Sequence, residues 1–169
     1  GVSSANVPIA PPTSVFTGAK MMATNGATTC GVKAADGAVF CWGANEHGEL
    51  VNGGLDDDFN PTAVGLTGAA GVTLDNLGTV CAWMTNGDVF CWGFNEVGDA
   101  GLGHFARVTM PAKVPGLAGV DHMDSGYSHM CARTTAKKVY CWGDQYFGAV
   151  GNGASPAYTA AKEVVGLGP

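Results

Sequence analysis

The sequence predicts an all-β chain built from three repeats of about fifty residues. The stretch VFCWG occurs at 39–43 and 89–93, and VYCWG occurs at 139–143. An amide residue and then a glycine follow each copy, in GANEHG, GFNEVG and GDQYFG, and an apolar phrase closes each unit, as AVGL, VPGL or VVGL. These landmarks place the repeats at 16–66, 67–117 and 118–167.

Each repeat is expected to contain four short strands. In CAWMTNGDVFCW, two apolar runs flank Asn86-Gly87, a pair that adopts a hairpin turn at low cost. The other two hairpins have AADG and TAKK at this place. Another strand is predicted upstream of each hairpin, in AKMMAT, GVTLDN and GVDHMD, and the phrase ending in Gly-Leu is expected to supply the fourth. No window has helical periodicity, so the pattern is typical of β-propeller blades.

The six cysteines are predicted to form one disulfide in each hairpin. The two cysteines of a repeat stand on either side of the turn, and facing strand positions bring Cα atoms to about 4.5–5.5 Å. No C-x-x-C pair occurs, which disfavours a zinc or redox site. Disulfides indicate an oxidising compartment: periplasm, cell surface or medium. The predicted pairs are Cys30–Cys41, Cys81–Cys91 and Cys131–Cys141.

The third repeat resembles the regulator of chromosome condensation repeat. The similarity lies in GYSHMCA at 126–132, VYCWGDQYFGAVGNG at 139–153 and VVGL at 164–167, and it extends over about 15–167. The paired cysteines are similar to those of bacterial secreted members. The resemblance implies a β-propeller of four-stranded blades; it does not imply an enzyme, because the family serves mostly for protein binding. It also implies about seven blades for a closed ring, and this chain has three repeats.

Three blades leave two blade faces uncovered, and no polar cap is evident in the sequence. Because the chain starts and stops in phase with the repeat, we expect copies to join head to tail, as a ring or a helical filament. The domain is predicted at 15–169, and residues 1–14 are expected to form either a disordered tail or an arm that adds a strand to a neighbouring copy. The candidate assembly contacts are Val7, Ile9, Val15, Phe16, Val164, Val165 and Leu167.

The tryptophans divide into a periodic set and an exception. Trp42, Trp92 and Trp142 recur with the repeat, which favours packing between blades over a ligand platform. Trp83 stands where the other repeats have Val32 and Arg133. Trp83 is therefore a candidate for an exposed aromatic residue that contacts a partner.

Other candidate sites are weaker. His129 occupies a periodic position held by threonine in the other repeats, which favours a structural role. Asp56, Asp57 and Asp58 have the carboxylates that calcium prefers, but the loop lacks the spacing of an EF-hand, and a solvated loop is favoured. No G-x-S-x-G motif or phosphate-binding loop occurs, so no catalytic residue and no cofactor is predicted.

Composition narrows the function classes. The net charge is −6 with only eight Lys and Arg, which argues against a nucleic-acid partner. No apolar run approaches the roughly 20 residues of a membrane span, so membrane insertion is not expected. Two hypotheses remain: a secreted structural protein that self-associates into a fibre, ring or surface assembly, and an extracellular module that binds protein or glycan. The second would use the variable loops at 44–60, 94–110 and 144–160.

Overall fold

A computed structural model describes residues 14–153 and 158–166. It contains three four-stranded antiparallel sheets, each with its strands in chain order. No helix in these two ranges has the length and hydropathy that a membrane span requires. The strands are β1 (Ala19–Thr24), β2 (Thr28–Lys33), β3 (Val39–Gly43), β4 (Asp58–Ala63), β5 (Ala69–Leu74), β6 (Thr79–Met84), β7 (Val89–Gly93), β8 (Val108–Lys113), β9 (Val120–Ser125), β10 (His129–Thr134), β11 (Val139–Gly143) and β12 (Tyr158–Glu163).

The all-β blade architecture is confirmed, but the expected position of the fourth strand is wrong. The fourth strand precedes the Gly-Leu phrase and ends at Ala63 in the first blade and Lys113 in the second. The phrase itself turns towards the next blade, because its glycine has positive φ, for example 84° at Gly65. The fourth strand is the outer edge of the sheet, where Pro61 and Pro111 are tolerated although proline cannot donate to a ladder.

The hairpin register places the cysteines of each pair opposite one another, and the three predicted disulfides are confirmed. Their Cα–Cα distances are 4.1 Å for Cys30–Cys41 and 4.2 Å for both Cys81–Cys91 and Cys131–Cys141. Each bond closes a short loop around one turn, so the hairpin is stapled independently of the other blades.

Side-chain alternation gives every blade two different faces. The disulfide face carries the cysteines, and the tryptophan face carries the tryptophan of the third strand. The disulfide face of one blade packs on the tryptophan face of the next, and these two joints form the core. The first joint buries Cys30, Val32 and Val39 together with Val80, Ala82 and Trp92; the second buries Cys81, Trp83 and Val89 together with Met130, Ala132 and Trp142.

The first strands of the blades lie together at the inner edge of the array, where β1 contacts β5 and β5 contacts β9. This arrangement leaves two outer faces. One is the tryptophan face of the first blade, and the other is the disulfide face of the third blade.

Candidate functional site

The two joints repeat a hydrogen bond from tryptophan. Trp92 Nε1 donates to the carbonyl oxygen of Glu49 at 2.7 Å, and Trp142 Nε1 donates to that of Asp99 at 2.8 Å. Both indoles are fully buried. Each bond therefore ties a blade to the loop that follows the third strand of the preceding blade.

The joints also depend on glycine in the hairpin turn. The carbonyl oxygens of Gly37 and Gly87 each accept a 3.0 Å hydrogen bond from the next blade, from Ala69 N and Val120 N. A β-carbon at Gly37 would lie 2.7 Å from Ala69 N, and one at Gly87 would lie 2.6 Å from the Cα of Gly119. Atoms do not pack at such separations, so both positions require glycine.

A third contact lies at the loop end of each joint. A β-carbon at Gly48 would lie 3.1 Å from the Cα of Thr109, and one at Gly98 would lie 2.8 Å from the Cα of Thr159. At the first joint, Gly78 of the second blade also lies against the carboxylate of Glu49. The loop after the third strand therefore receives backbone of the next blade at close range.

The outer tryptophan face of the first blade is covered by its own chain. The Phe16 ring centroid lies 5.4 Å from that of Phe40 and 5.6 Å from that of Trp42. Gly31 makes room for Phe16, since a β-carbon there would lie 2.6 Å from the ring. Lys33 Nζ lies 4.4 Å from the Phe16 ring centroid, at the distance of a cation–π contact.

Trp42 differs from the other two periodic tryptophans. It is only half-buried, and its Nε1 has no acceptor among residues 14–153 and 158–166. Val15, another candidate assembly contact, is 58% exposed. Val7 and Ile9 lie outside the described residues, as does Leu167.

The outer disulfide face of the third blade has charged residues where the internal joints are apolar. Arg133 replaces Val32 and Trp83, and its Nε lies 2.8 Å from Asp121 Oδ1. Lys137 replaces the turn glycines, has φ of 64°, and places Nζ 3.7 Å from Asp121 Oδ2. These residues form a polar surface on the turn half of this face.

The loop end of the same face is open and aromatic. We name it the third-blade cleft; its volume is about 510 Å³. Tyr127, Tyr146 and Phe147 are 67%, 74% and 103% exposed. The equivalent loop positions in the first blade hold Glu46 and His47 in place of Tyr146 and Phe147. The cleft is lined by Tyr127, Ser128, His129, Asp144, Tyr146, Phe147 and Ala149.

One cleft residue and its neighbour in sequence, Ala149 and Gly148, correspond to residues that carry the internal joints. Ala149 is exposed and occupies the position of Glu49 and Asp99, whose carbonyls accept the tryptophan bonds. Gly148 occupies the position of Gly98, yet nothing lies within 4 Å of a β-carbon built there. The cleft is therefore a joint surface without its neighbour. Of the candidate contacts beside it, Val165 is 64% exposed and Val164 is half-buried.

Trp83 is not exposed, contrary to the sequence expectation. Its exposure is 4%, and its ring lies over Gly71, its register partner on β5. Its centroid is 5.8 Å from that of His122, edge to face. The missing side chain of Gly71 provides the space for the indole, and this compensation is visible only once the strand register is known.

The acidic loop uses its carboxylates internally. Asp57 Oδ1 accepts a 3.0 Å hydrogen bond from Asn45 N, and Asp58 Oδ2 accepts one of 2.7 Å from Thr62 Oγ1. Asp58 lies in β4, while Asp56 precedes it. Within the described parts of the chain, no group of three or more His, Cys, Asp or Glu side chains is placed to hold a metal ion.

Sequence reasoning missed a buried carboxyl pair in the second blade. Asp75 and Asp99 are both fully buried. Asp75 Oδ1 accepts from Thr79 N at 2.8 Å, but both oxygens of Asp99 lack a partner among the described residues. Burial raises the pKa of Asp75 to about 6. Burial and the charge of Asp75 raise the pKa of Asp99 to about 8. No sequence motif marks the pair, because its members are far apart in the chain.

Comparisons with known proteins agree with this geometry. Residues 86–133 and 120–149 match family models described as Regulator of chromosome condensation (RCC1) repeat. No curated protein matches the chain.

Three solved structures share the fold at low sequence identity. Human WBSCR16 is 24% identical with a TM-score of 0.72, over 85% of this chain and 38% of that one. Yeast RCC1 (Prp20), bound to Kap60, is 17% identical with a TM-score of 0.70, over 87% and 37%. Prp20p from Saccharomyces cerevisiae, in a study of its binding to Gsp1p and histones, is 16% identical with a TM-score of 0.70, over 87% and 38%. The chain thus spans less than two fifths of the length of each of these three structures.

Proposed function

We propose that this chain, whose residues 86–133 and 120–149 match RCC1-repeat family models, is a secreted, non-enzymatic propeller module that binds another protein through the third-blade cleft. Propeller blades of this type suggest protein binding, and the structure of yeast RCC1 contains the protein Kap60. The observation that carries the proposal is the exposed aromatic group of Tyr127, Tyr146 and Phe147.

Aromatic side chains favour a protein ligand at this cleft. They contribute large contact areas with few rotatable bonds and are enriched at the energetic centres of protein interfaces. The cleft is also the third-blade equivalent of a loop surface that, in the first blade, packs against the polypeptide of the next blade. At the first joint, Gly78 lies against Glu49 and His47 of the equivalent loop. A turn from a partner protein is therefore the ligand that the cleft fits best.

The remaining parts of the proposal rest on the disulfides and on His129. Three disulfides favour an oxidising, extracellular location. We expect no enzymatic activity, because His129, the ionisable base at the cleft, packs against Gly126 and holds a periodic repeat position.

A random peptide library displayed on phage tests the proposal. We expect the wild-type protein to enrich peptides whose binding is lost in a Tyr146→Ala/Phe147→Ala variant. A Phe59→Ala/Phe105→Ala variant is the matched control, because it removes two exposed aromatic residues away from the cleft and should bind like the wild type. Enrichment that is insensitive to the cleft variant, or binding on a glycan array with no peptide selected, would contradict the proposal.

A second candidate function is self-association into an extracellular fibre, ring or surface assembly. Trp42 Nε1 lacks a described acceptor on the first outer face, and the Ala149 carbonyl occupies the acceptor position on the other. Both internal bonds join residues 43 apart around a joint of this kind. A head-to-tail contact between copies would place Trp42 of one against Ala149 of the next.

Light scattering on native, non-reduced protein, together with negative-stain microscopy, tests this candidate. Fibres or large particles that dissolve in a Trp42→Phe variant would support it, because phenylalanine keeps the ring and removes the donor. A stable monomer at high concentration would exclude it.

A further inference from the structure

The hairpin turn of the third blade differs from the other two at one position. Gly37, Gly87 and Lys137 are equivalent, since each donates its N–H back to the last residue of the preceding strand, at 3.1, 2.9 and 2.9 Å. All three have positive φ, with values of 70°, 83° and 64°. Lysine is disfavoured in this conformation, so its presence has a local cost.

The lysine β-carbon occupies space that a following blade would need. At the internal joints, the backbone at the start of the next blade, Ala69 or Gly119, comes within 2.6–2.7 Å of a β-carbon built on Gly37 or Gly87. A blade docked in the same way on the third blade would meet the Lys137 β-carbon at that distance. Rotation of the side chain cannot relieve the contact, because the backbone alone sets the β-carbon position.

Charged residues also oppose the docking of a further blade on the turn half of the outer disulfide face. Arg133 holds the position of Val32, which is fully buried, and Trp83, which is 4% exposed. A docked blade would cover Arg133 and its partner Asp121 and remove their hydration. The loop half of the face carries neither obstacle, because Gly148 is retained and the Ala149 side chain is small.

We propose that Lys137 is the residue that stops blade-on-blade addition at the third blade, so that this face accepts a short turn of a partner protein at the cleft and not a further blade. The part that concerns the partner rests on the proposed function. The part that concerns Lys137 is independent of the proposed function, because it is argued only from the geometry of the internal joints. The head-to-tail contact of the second candidate function, with Trp42 of one copy beside Ala149 of the next, would accordingly need a joint displaced from the internal geometry.

A glycine–alanine pair isolates the β-carbon. Phe16 covers the face that a second copy would present, and Arg133 adds charge, so both variants carry Phe16→Ala and Arg133→Val. One adds Lys137→Gly and the other Lys137→Ala, which removes the charge and keeps the β-carbon. We expect the mass of the glycine variant, measured by light scattering, to rise towards twice the monomer or more with concentration, while the alanine variant keeps the monomer mass.

The outcomes separate this inference from the proposed function. Circular dichroism first checks that both variants are folded. If both are folded, association of both or of neither overturns the role of Lys137. If either variant is unfolded, the same comparison is made with single Lys137→Gly and Lys137→Ala substitutions, each mixed with the Phe16→Ala protein. Binding of the selected peptides is measured on the same variants. Peptide binding without the glycine-specific association refutes the inference alone, and the reverse result refutes the proposed function alone.

Discussion

The joint between the second and third blades and the outer disulfide face of the third blade use equivalent positions with opposite outcomes. In the joint, Asp99 accepts from Trp142 and Gly98 lies against Thr159. On the outer face, Ala149 and Gly148 occupy those positions and contact no following blade. Equivalent positions in the repeat therefore mark where a joint contact can form, but a neighbouring blade must be present for the contact to be made.

The outer face of the first blade also differs from the internal joints. Thr29 stands where the joints bury Val80 and Met130, and Lys33 stands where the second blade has Met84. Both outer faces therefore carry polar residues at positions that are apolar in the internal joints.

The largest expected loss of stability comes from removing a disulfide, and it should be larger for the buried disulfide than for the partly exposed one. Cys81 and Cys91 are fully buried in the joint, whereas Cys131 is half-buried on the outer face. Replacing either pair by alanine should lower the free energy of unfolding by about 3 kcal/mol, because the loops have equal length. The buried pair should cost about 1 kcal/mol more for the cavity.

Urea unfolding measures both variants, and alkylation followed by mass spectrometry tests accessibility. Dithiothreitol should reduce Cys131–Cys141 before Cys81–Cys91. Equal reduction rates would contradict the difference in burial.

The next expected effect is a dependence of the free energy of unfolding on pH, caused by the buried carboxyl groups of Asp75 and Asp99 in the second blade. The pKa of Asp75 is raised from 3.8 to about 6 and that of Asp99 to about 8, so the folded state binds more protons than the unfolded state between these values. The free energy of unfolding should therefore fall as pH rises from about 4 to 8. Asp75 alone should account for about 3 kcal/mol of this fall, nearly all of it below about pH 7.

Urea unfolding at a series of pH values checks this dependence. An Asp99→Asn variant should flatten the upper part of the curve, while Asp124→Asn, which changes an exposed carboxyl, should leave it unchanged. Stability that increases with pH across this window would refute the assignment.

A smaller loss of stability is expected when the equivalent glycines of the joint and of the outer face, Gly98 and Gly148, are replaced by alanine. Gly98 and Gly148 have φ of 82° and 76° and differ only in what surrounds them. Alanine at 148 should cost about 1 kcal/mol for the positive φ alone. Alanine at 98 should cost about 2–3 kcal/mol, because its β-carbon also meets Thr159. Thermal unfolding of both variants measures the difference, and equal losses would show that packing adds nothing.

The smallest pair of effects concerns the tryptophan donor. Trp142→Phe should lower the free energy of unfolding by about 2 kcal/mol, since it leaves the Asp99 carbonyl without its partner and opens a small cavity. Trp42→Phe should cost below about 0.5 kcal/mol in the monomer, because no described acceptor is lost. Fluorescence-detected urea unfolding of the two variants is the test. A comparable loss at Trp42 would mean that this indole is already satisfied.

The sequence predicted the blades well because their defining contacts are local. Cys81 faces Cys91 across a ten-residue separation, and the Asn86-Gly87 turn and strand alternation are enough to set that register. Trp83 was mispredicted for the opposite reason. Its burial depends on Gly71 on the neighbouring strand and on His122 in the next blade, and neither position carries a recognisable pattern.

The candidate site also combines a local feature that the sequence predicted with a grouping of distant residues that it did not. Variation in the loop at 144–160 was visible in the sequence, but the grouping of Tyr127 with Tyr146 and Phe147 needed the blade geometry. Phe16 was predicted as an assembly contact, and only the structure shows that it packs on Phe40 and Trp42 of its own chain.

The order of amino acids alone dictates the repeat, the hairpins, the disulfides and the alternation of two faces, because these depend on residues within about a dozen positions of each other. The tertiary structure decided which faces are covered, that Asp75 and Asp99 lie buried in one blade, and that Lys137 stands in the path of a further blade. These properties depend on groups brought together across joints between repeats. Burial and close approach are set there by the shape of the neighbouring blade, which no short stretch of sequence encodes.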